Sequence, residues 1–276
     1  MSAVASSLSR VGTIAGNTFL EAVRQRFFIA LLVLAAGLLA STEFLSEFNF
    51  GASEIKFIAD IGFGALVLFG SVLTITVTAQ LFFAEIESRT ALTLLAKPVR
   101  RGEFIVGKFL GVWIVVLIFC AIVTALLCTV LAIRESEILA ADPDAGEALV
   151  SYGHIIAAAA VQWVKFGVLG AITLLLGSFS NTNLFSVATA FLVLVICHLQ
   201  YLARDVWERG GSVVARIGAA LLGLVFPNFQ LFNLGDLVTS GEPPGASLIV
   251  RVTLYGIAYI AVFLALASFS FRRREI

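Results

Sequence analysis

A short glycine- and lysine-containing segment comes closest in this chain to a nucleotide-binding motif. Residues Gly102-Glu-Phe-Ile-Val-Gly107-Lys108 fit the first seven positions of a phosphate-binding loop. Such a loop also needs a preceding strand and a Ser or Thr after its lysine to hold Mg²⁺, but Phe109 follows here and no strand pattern precedes. We therefore predict that the chain cannot itself hydrolyse ATP by this route. Gly107 and Gly111 are instead expected to allow close helix packing, with Lys108 anchoring the inner membrane edge.

A second group of polar residues lies within long apolar runs. Ser71, Thr74 and Thr78 are spaced three and four apart and so share one face of a helix. Lys165 lies near the middle of another run, one turn from Gln162. We predict that these five side chains line a substrate path, because charges at such depth usually face a bundle interior or water. Two alternatives stay open: the hydroxyls bond neighbouring helices or their own backbone, and Lys165 snorkels toward the outer surface.

The histidines and cysteines do not form a recognisable reactive site. His154 and His198 fall near the ends of apolar runs, without the spacing of a catalytic triad or a metal site. Cys120, Cys128 and Cys197 lie inside apolar runs, which is typical of small buried hydrophobes and does not suggest a disulfide framework. We expect no catalytic residue and no metal ligand in this chain.

The elements that position these residues follow from composition. The 276 residues are 60% hydrophobic and 13% charged, with a mean hydropathy of +1.03, whereas soluble domains have about 45–50% apolar and about 25% charged residues. A chain this apolar must present its outer surface to lipid. Its net charge of zero gives no reason to expect a nucleic-acid partner. Because backbone at membrane depth must bond internally, we predict one all-α transmembrane domain over 1–276.

Several segments are long enough to cross the membrane as helices. A helix needs about 20 apolar residues to span a hydrocarbon core of about 30 Å. Six segments qualify: Phe27–Leu45, Ile61–Phe83, Phe109–Ile133, Ile155–Phe179, Leu184–Leu202 and Leu248–Phe271. A further stretch, Val213–Phe226, contains Arg216 and ends at Pro227, so we predict that it forms a re-entrant or interfacial outer helix before the last span.

The distribution of charge predicts the orientation. With the N-terminus inside, most lysines and arginines fall beside inner span ends, as in Lys97–Lys108 and Arg272–Arg274, while the outer loop Glu135–Glu147 is acidic. The positive-inside rule therefore predicts six spans with both termini in the cytoplasm. In residues 1–26 the apolar side chains recur every three or four positions and polar side chains occupy the opposite face. This pattern predicts an amphipathic helix in the inner membrane interface. The alternative, a cleaved signal peptide with Phe27–Ala40 as its core, is disfavoured because 26 residues precede that core.

Two connections between spans are candidates for functional segments. The cytoplasmic segment 84–103 contains Ser88–Ala96, predicted as one or two helical turns, and Pro98 then stops the helix. A short helix held between two spans suits the transmission of a push from outside the membrane. The outer loop 203–247 contains the short apolar helix and the turn-rich Ser240–Gly245, and loops of this length are more often functional than idle.

In their order and spacing, four segments together resemble those of a known family. They are Phe19–Arg26 before the first span, Glu85–Lys108, Phe226–Leu234 and Phe271–Arg274. The chain, along nearly its whole length, resembles the membrane permease subunits of bacterial ABC-2-type ATP-binding-cassette transporters. The resemblance implies a multi-pass protein of the bacterial cytoplasmic (inner) membrane, with export as the expected direction. It also implies a second permease copy, as a homodimer, and two copies of a separate ATPase subunit that binds ATP and Mg²⁺, with no cofactor on this chain.

The resemblance also implies roles for particular residues. Residues 1–26 would form an elbow helix on the membrane, and 84–103 would carry a coupling helix that docks into the ATPase. The coupling residues would be Glu85, Glu87, Arg89, Thr90, Lys97, Pro98, Arg100 and Arg101. Short re-entrant elements would form an outer gate with Phe226, Pro227, Phe229 and Phe232.

Two other functions compete with this interpretation. A stand-alone secondary transporter would need acidic relay residues deep in the spans, but Glu43, Asp60 and Asp205 lie only near outer edges. A non-transporting membrane scaffold or assembly factor would use the Ser71–Thr78 face for packing alone. Co-purification with an ATPase separates the first interpretation from both.

Overall fold

The computed structural model describes residues 2–45, 54–87, 101–141, 150–208, 212–235 and 245–273. Within these ranges the chain is helical and contains no strand, so the predicted all-α membrane fold is confirmed. The helices are α1 (Ser2–Val23), α2 (Arg26–Ala40), α3 (Thr42–Leu45), α4 (Glu54–Glu87), α5 (Arg101–Ala141), α6 (Tyr152–Phe179), α7 (Asn183–Glu208), α8 (Val213–Val225) and α9 (Ala246–Arg273), with a 3-10 helix at Phe229–Phe232 between α8 and α9.

Five helices, α4, α5, α6, α7 and α9, are each long and apolar enough to cross a membrane. A sixth span requires α1 and α2 together, which meet at a 60° bend. The predicted first span, Phe27–Leu45, is therefore corrected: α2 has 15 residues and reaches only about 22 Å. It ends at Ala40, where the hydroxyls of Ser41 and Thr42 donate to the carbonyls of Leu38 and Leu39.

The other span helices are longer than hydropathy alone predicted. Helix α4 has 34 residues and α5 has 41, so at 1.5 Å per residue they measure about 51 and 61 Å and pass well beyond the hydrocarbon core. Helix α5 begins at Arg101, so the last residues of the predicted cytoplasmic segment 84–103 are already helical. The predicted outer loop 203–247 likewise begins later, because α7 continues to Glu208. The helices continue through polar residues beyond their apolar segments. A span defined by hydropathy ends where the apolar residues end and therefore misses these polar turns.

Helix α6 is the centre of the bundle. Of its apolar window 78% is buried, against 17% for α7 and 22% for α9, so the latter two leave most of their apolar surface uncovered by the rest of the described chain. Glycines bring the neighbouring helices close to α6, since added Cβ atoms would lie 2.5 Å from Phe166 at Gly70 and 2.5 Å from Val164 at Gly256. Gly167 similarly receives the Trp113 indole of α5.

Helix α1 packs against the first turns of α5. A Cβ atom added to Gly107 would lie 2.7 Å from Ile14, and one added to Gly111 would lie 2.6 Å from Thr18. The predicted use of these two glycines in close helix packing is confirmed, and their partner is the amphipathic N-terminal helix. The predicted short outer helix is also present, as α8.

Candidate functional site

Three of the predicted coupling residues lie at the ends of α4 and α5 that the charge distribution assigns to the cytoplasm. Glu85 and Glu87 lie in the last turn of α4, and Arg101 begins α5. The remaining predicted residues, Arg89, Thr90, Lys97, Pro98 and Arg100, lie outside the described residues, as does the predicted helical segment Ser88–Ala96. The geometry on either side of residues 88–100 therefore defines this part of the site.

The end of α4 is joined to α5 by a buried ion pair. The Lys108 ammonium lies 2.6 Å from Glu85 Oε1, and the two side chains are 2% and 21% exposed. The expectation that Lys108 anchors the membrane edge is wrong, because its side chain points into the helix packing and meets this carboxylate. Removing Glu85 from this pair would cost about 3–5 kcal/mol, since the buried Lys108 ammonium would stay behind unpaired.

The start of α5 is also joined to the end of α9. Arg101 Nη1 donates to the carbonyls of Phe271 and Arg272, each at 3.0 Å. Carbonyls in the last turn of a helix have no partner within it, and a cation there also interacts favourably with the helix dipole. The Phe271 ring stacks on Phe104 of α5, with centroids 5.6 Å apart, and meets Phe82 of α4 edge-on. Three helices therefore meet at one polar and aromatic joint.

A third joint holds α1 to α5 through Glu103. Its carboxylate accepts hydrogen bonds from Ser7 Oγ at 2.6 Å and from Arg10 Nε and Nη2, both at 2.9 Å. The two arginine contacts form the bidentate geometry that gives guanidinium–carboxylate pairs their directional specificity. Glu103 was not among the predicted coupling residues. The one sequence feature that could have indicated a polar partner for Glu103 is the polar face of α1, which carries Ser7 and Arg10.

The predicted substrate-path residues separate into two places. Ser71, Thr74 and Thr78 are buried where α4 packs on α6. Thr74 Oγ1 donates to the Gly70 carbonyl at 2.7 Å, and a Cβ added to Gly170 of α6 would meet Thr74 and Thr78 within 3.7 Å. In this conformation the face is closed by helix packing. Thr74 makes the backbone hydrogen bond that the alternative interpretation expected, whereas Ser71 Oγ and Thr78 Oγ1 make none among the described residues.

Gln162 holds the outer gate segment to α6. Its Nε2 donates to the Phe232 carbonyl at 3.0 Å, at the end of the 3-10 helix. Phe229 and Phe232 are buried, and their rings meet edge-to-face. Pro227 is also buried, and Phe226 is half-buried. The four predicted gate residues thus lie together in one segment packed on the outer half of the bundle.

Two further residues, which the sequence did not single out, fasten this segment. Asn228 Oδ1 accepts from the Gln230 N–H at 3.0 Å and so caps the 3-10 helix. The Asn228 N–H donates to the Tyr255 hydroxyl of α9 at 2.9 Å. An Asn after Pro227 is a recognisable capping signal, whereas nothing in the sequence indicates Tyr255 as its partner.

Lys165 lines a cavity of about 290 Å³ at the outer half of the bundle. Its side chain is 2% exposed, so Lys165 faces the bundle interior rather than snorkelling. The other polar residues in the wall are Asp60, His198, Gln230 and Asn233. His198 has its Nδ1 2.9 Å from the Leu194 carbonyl and its ring edge-on to Phe229. The cavity therefore joins α4, α6, α7 and the gate segment.

The comparisons with known proteins identify the class. No curated protein matches the chain. In the described residues, no group of three or more histidines, cysteines or carboxylates could hold a metal ion. A family profile described as ABC-2 family transporter protein matches residues 12–204. That range covers more than half of the chain, from α1 through most of α7. Proteins of this family are membrane components of transporters and not themselves enzymes. The chain accordingly belongs to the ABC-2 transporter family, as a multi-pass membrane component of an ATP-binding-cassette transporter.

Proposed function

We propose that this chain is the permease subunit of an ATP-driven exporter of the bacterial cytoplasmic membrane. A separate ATPase subunit, present in two copies, would bind ATP and Mg²⁺ and dock on residues 88–100 of each of two permease copies. Family membership supports the transport role and argues against a secondary transporter or a scaffold. The observation that carries the mechanism is the set of polar joints on both sides of 88–100.

The two helix ends that flank this segment cannot move independently of their neighbours. Helix α4 is tied to α5 by Glu85 and Lys108, while α5 is tied to α9 by Arg101 and to α1 by Glu103. A displacement applied to 88–100 by nucleotide-driven closure of an ATPase dimer would therefore reach four helices at once. Coupling of this kind needs contiguous packed elements with discrete arrangements.

A route from this end to the outer gate follows α9. The inner end of α9 receives Arg101, and further along its length Tyr255 accepts the Asn228 N–H of the gate segment. One residue on, Gly256 allows Phe232 within 3.1 Å of an added Cβ. Movement of α9 along its axis would consequently change the contacts of Asn228 and Phe232. In this proposal α9 carries the displacement across the membrane.

The proposed coupling residues divide by role. Glu85 and Arg101 make contacts inside the permease, so we assign them to positioning the segment rather than to docking. Direct docking is assigned to Glu87, Arg89, Thr90, Lys97, Pro98 and Arg100. Complementary charges across such a joint would select the partner and fix its orientation.

The test is reconstitution with the separate ATPase subunit that the proposal requires. The double reversal Glu87→Lys with Arg100→Glu should abolish co-purification and the permease-dependent part of ATP hydrolysis, while membrane insertion persists. The matched control is Glu21→Lys with Arg24→Glu, which makes the same charge changes at exposed positions of the N-terminal region. If the first variant binds and stimulates the ATPase normally, residues 88–100 do not couple. If no ATPase binds the wild-type chain, the transporter assignment itself fails.

A further inference from the structure

We propose that the cavity around Lys165 is an anion-binding site that accepts a carboxylate or phosphate group of the transported molecule. The assignment of the bound group to a cargo rests on the proposed function. The anion site itself stands on the geometry of the cavity, and it is tested without the ATPase.

Lys165 is a buried cation that lines an open cavity. Its side chain is 2% exposed, and among the described residues it makes no ion pair, its ammonium lying instead 5.6 Å from the centre of the Phe166 ring. A charge at this depth is costly unless it is paired. Lys108, the other fully buried lysine of the described chain, has Glu85 as its counter-ion. A bound anion in the cavity would supply the counter-ion that Lys165 lacks among the described residues.

The rest of the wall offers further polar groups to a bound anion. Gln230 and Asn233 lie on the gate segment, and each side-chain amide has two N–H donors. His198 adds a third polar side chain from α7. An anion held by Lys165 would thus meet groups from α6, α7 and the gate segment together.

One acidic residue, Asp60, also lines the cavity. Its side chain is exposed, so water and counter-ions screen its charge far more than that of buried Lys165. Because a cation would need several oxygen ligands, and no cluster of three potential ligands exists among the described residues, the electrostatics of the cavity favour an anion.

The position of the cavity gives the bound group a role in gating. Lys165 lies one helical turn from Gln162, which holds the Phe232 carbonyl. An anion between Lys165 and the amides of Gln230 or Asn233 would bridge α6 to the same segment at a second point. At about 290 Å³, near the lower limit of small-molecule sites, the cavity suits a small anion or one headgroup of a larger molecule.

The experiment measures thermal unfolding of the purified chain in phosphatidylcholine nanodiscs without ATPase. One arm titrates inorganic phosphate and citrate at constant ionic strength, and a second replaces part of the lipid with phosphatidylglycerol. We expect Tm to rise in at least one arm. A response to the soluble anions alone indicates a soluble cargo, and a response to phosphatidylglycerol alone indicates a lipid headgroup. Absence of any response in both arms would overturn the proposal.

Substitutions locate the response. Lys165→Met should weaken the apparent affinity by about ten- to a hundredfold, the effect of losing one charge-assisted hydrogen bond. Without anion its Tm should equal or exceed that of the wild type, because a buried unpaired charge has gone. Arg251→Met, which removes an exposed cation near the start of α9, is the matched control and should respond like the wild type.

Two further outcomes complete the test. Should Lys165→Met fail to fold, Asn233→Leu alters the exposed wall of the same cavity and should also weaken the response. An unchanged response in the folded variant of either kind would show that the anion binds elsewhere and would contradict the proposal. Because no ATPase is present, a negative result here leaves the transporter assignment standing.

Discussion

The cytoplasmic end of the helical bundle and the outer gate segment are held in place by different chemistry. At the cytoplasmic end the joints are buried or half-buried charged contacts, Glu85–Lys108 and Glu103–Arg10 among them. At the outer end the gate segment is held by neutral hydrogen bonds from Gln162 and to Tyr255, and by edge-on aromatic rings. Neutral hydrogen bonds contribute about 0.5–1.5 kcal/mol net, and breaking a buried ion pair costs about 3–5 kcal/mol.

This difference matches the task proposed for each end. The end that receives the displacement must be rigid. Each helix there is fixed to its neighbour by charged contacts whose separation costs several kcal/mol. An end that opens must release its contacts and make them again, so each of them must be weak. The outer ion pairs of Arg134 with Glu54 and Glu137 do not alter the comparison, because the three side chains are 25%, 34% and 54% exposed and such pairs contribute little.

The largest expected effect breaks the cytoplasmic joint between α4 and α5. Glu85→Gln should reduce the free energy of unfolding by about 3–5 kcal/mol, because it strands the buried Lys108 ammonium. Lys108→Met should cost less, since Glu85 is partly exposed and water can reach its carboxylate. Unfolding each variant with increasing amounts of a denaturing detergent measures both free energies of unfolding. The double variant should be more stable than Glu85→Gln alone. Equal losses of unfolding free energy in Glu85→Gln and Lys108→Met would contradict the expectation that an unpaired Lys108 costs more than an unpaired Glu85.

A second variant tests the joint between α1 and α5. Glu103→Gln removes the carboxylate that binds Ser7 and Arg10, so α1 should detach more often from the start of α5. Amide hydrogen exchange in residues 2–23 should become several-fold faster, with little change in α6. Glu21→Gln, an exposed acid on the same helix, serves as the control. Unaltered exchange in α1 would show that glycine packing alone holds it.

A smaller effect is expected at the outer gate. Tyr255→Phe removes the acceptor of the Asn228 N–H and should cost about 0.5–1.5 kcal/mol. The loss should be local: amide exchange should become faster in residues 226–235 and should keep its wild-type rate in residues 101–111. Gln162→Leu should act in the same direction through the Phe232 carbonyl. If either substitution destabilises the bundle as much as Glu85→Gln does, the two ends are not different in kind.

The smallest effect is predicted for the exposed outer ion pairs. Arg134→Gln should change the free energy of unfolding by no more than about 1 kcal/mol, because solvent screens both of its partners. Raising the salt concentration should reduce even that difference. A loss as large as that of Glu85→Gln would mean that exposed charge pairs also hold this bundle rigid.

Which parts of this architecture could be predicted depends on the range of the interactions. The spans α4, α5, α6, α7 and α9 follow from local hydropathy, since lipid requires about 20 apolar residues in a row. The ends of α4 and α5 do not, because Glu85, Arg101 and Glu103 are polar and become helical through partners far away in the chain. Glu103 is 93 residues from Arg10, and a single sequence contains no signal that links them.

The same reasoning applies to the candidate site. The burial of Lys165 in the bundle interior was one of two alternatives that the sequence left open, because a charge within an apolar run either faces the interior or snorkels to the surface. The separation of Ser71, Thr74 and Thr78 from it was not recognisable, because helical spacing shows that three residues share a face but not which helix covers that face. Only the packing of Gly170 against Thr74 and Thr78 reveals that α6 closes it.

Photo-crosslinking from the cytoplasmic segment tests the central claim most directly. A photoreactive phenylalanine analogue at Leu95, within 88–100, should form an adduct with the separate ATPase in intact membranes, and ATP turnover should change its yield. The same analogue at Leu231, exposed on the outer gate segment, should form none. An ATPase adduct from Leu231, or none from Leu95 in a complex that still co-purifies, would contradict the proposed direction in which force enters this protein.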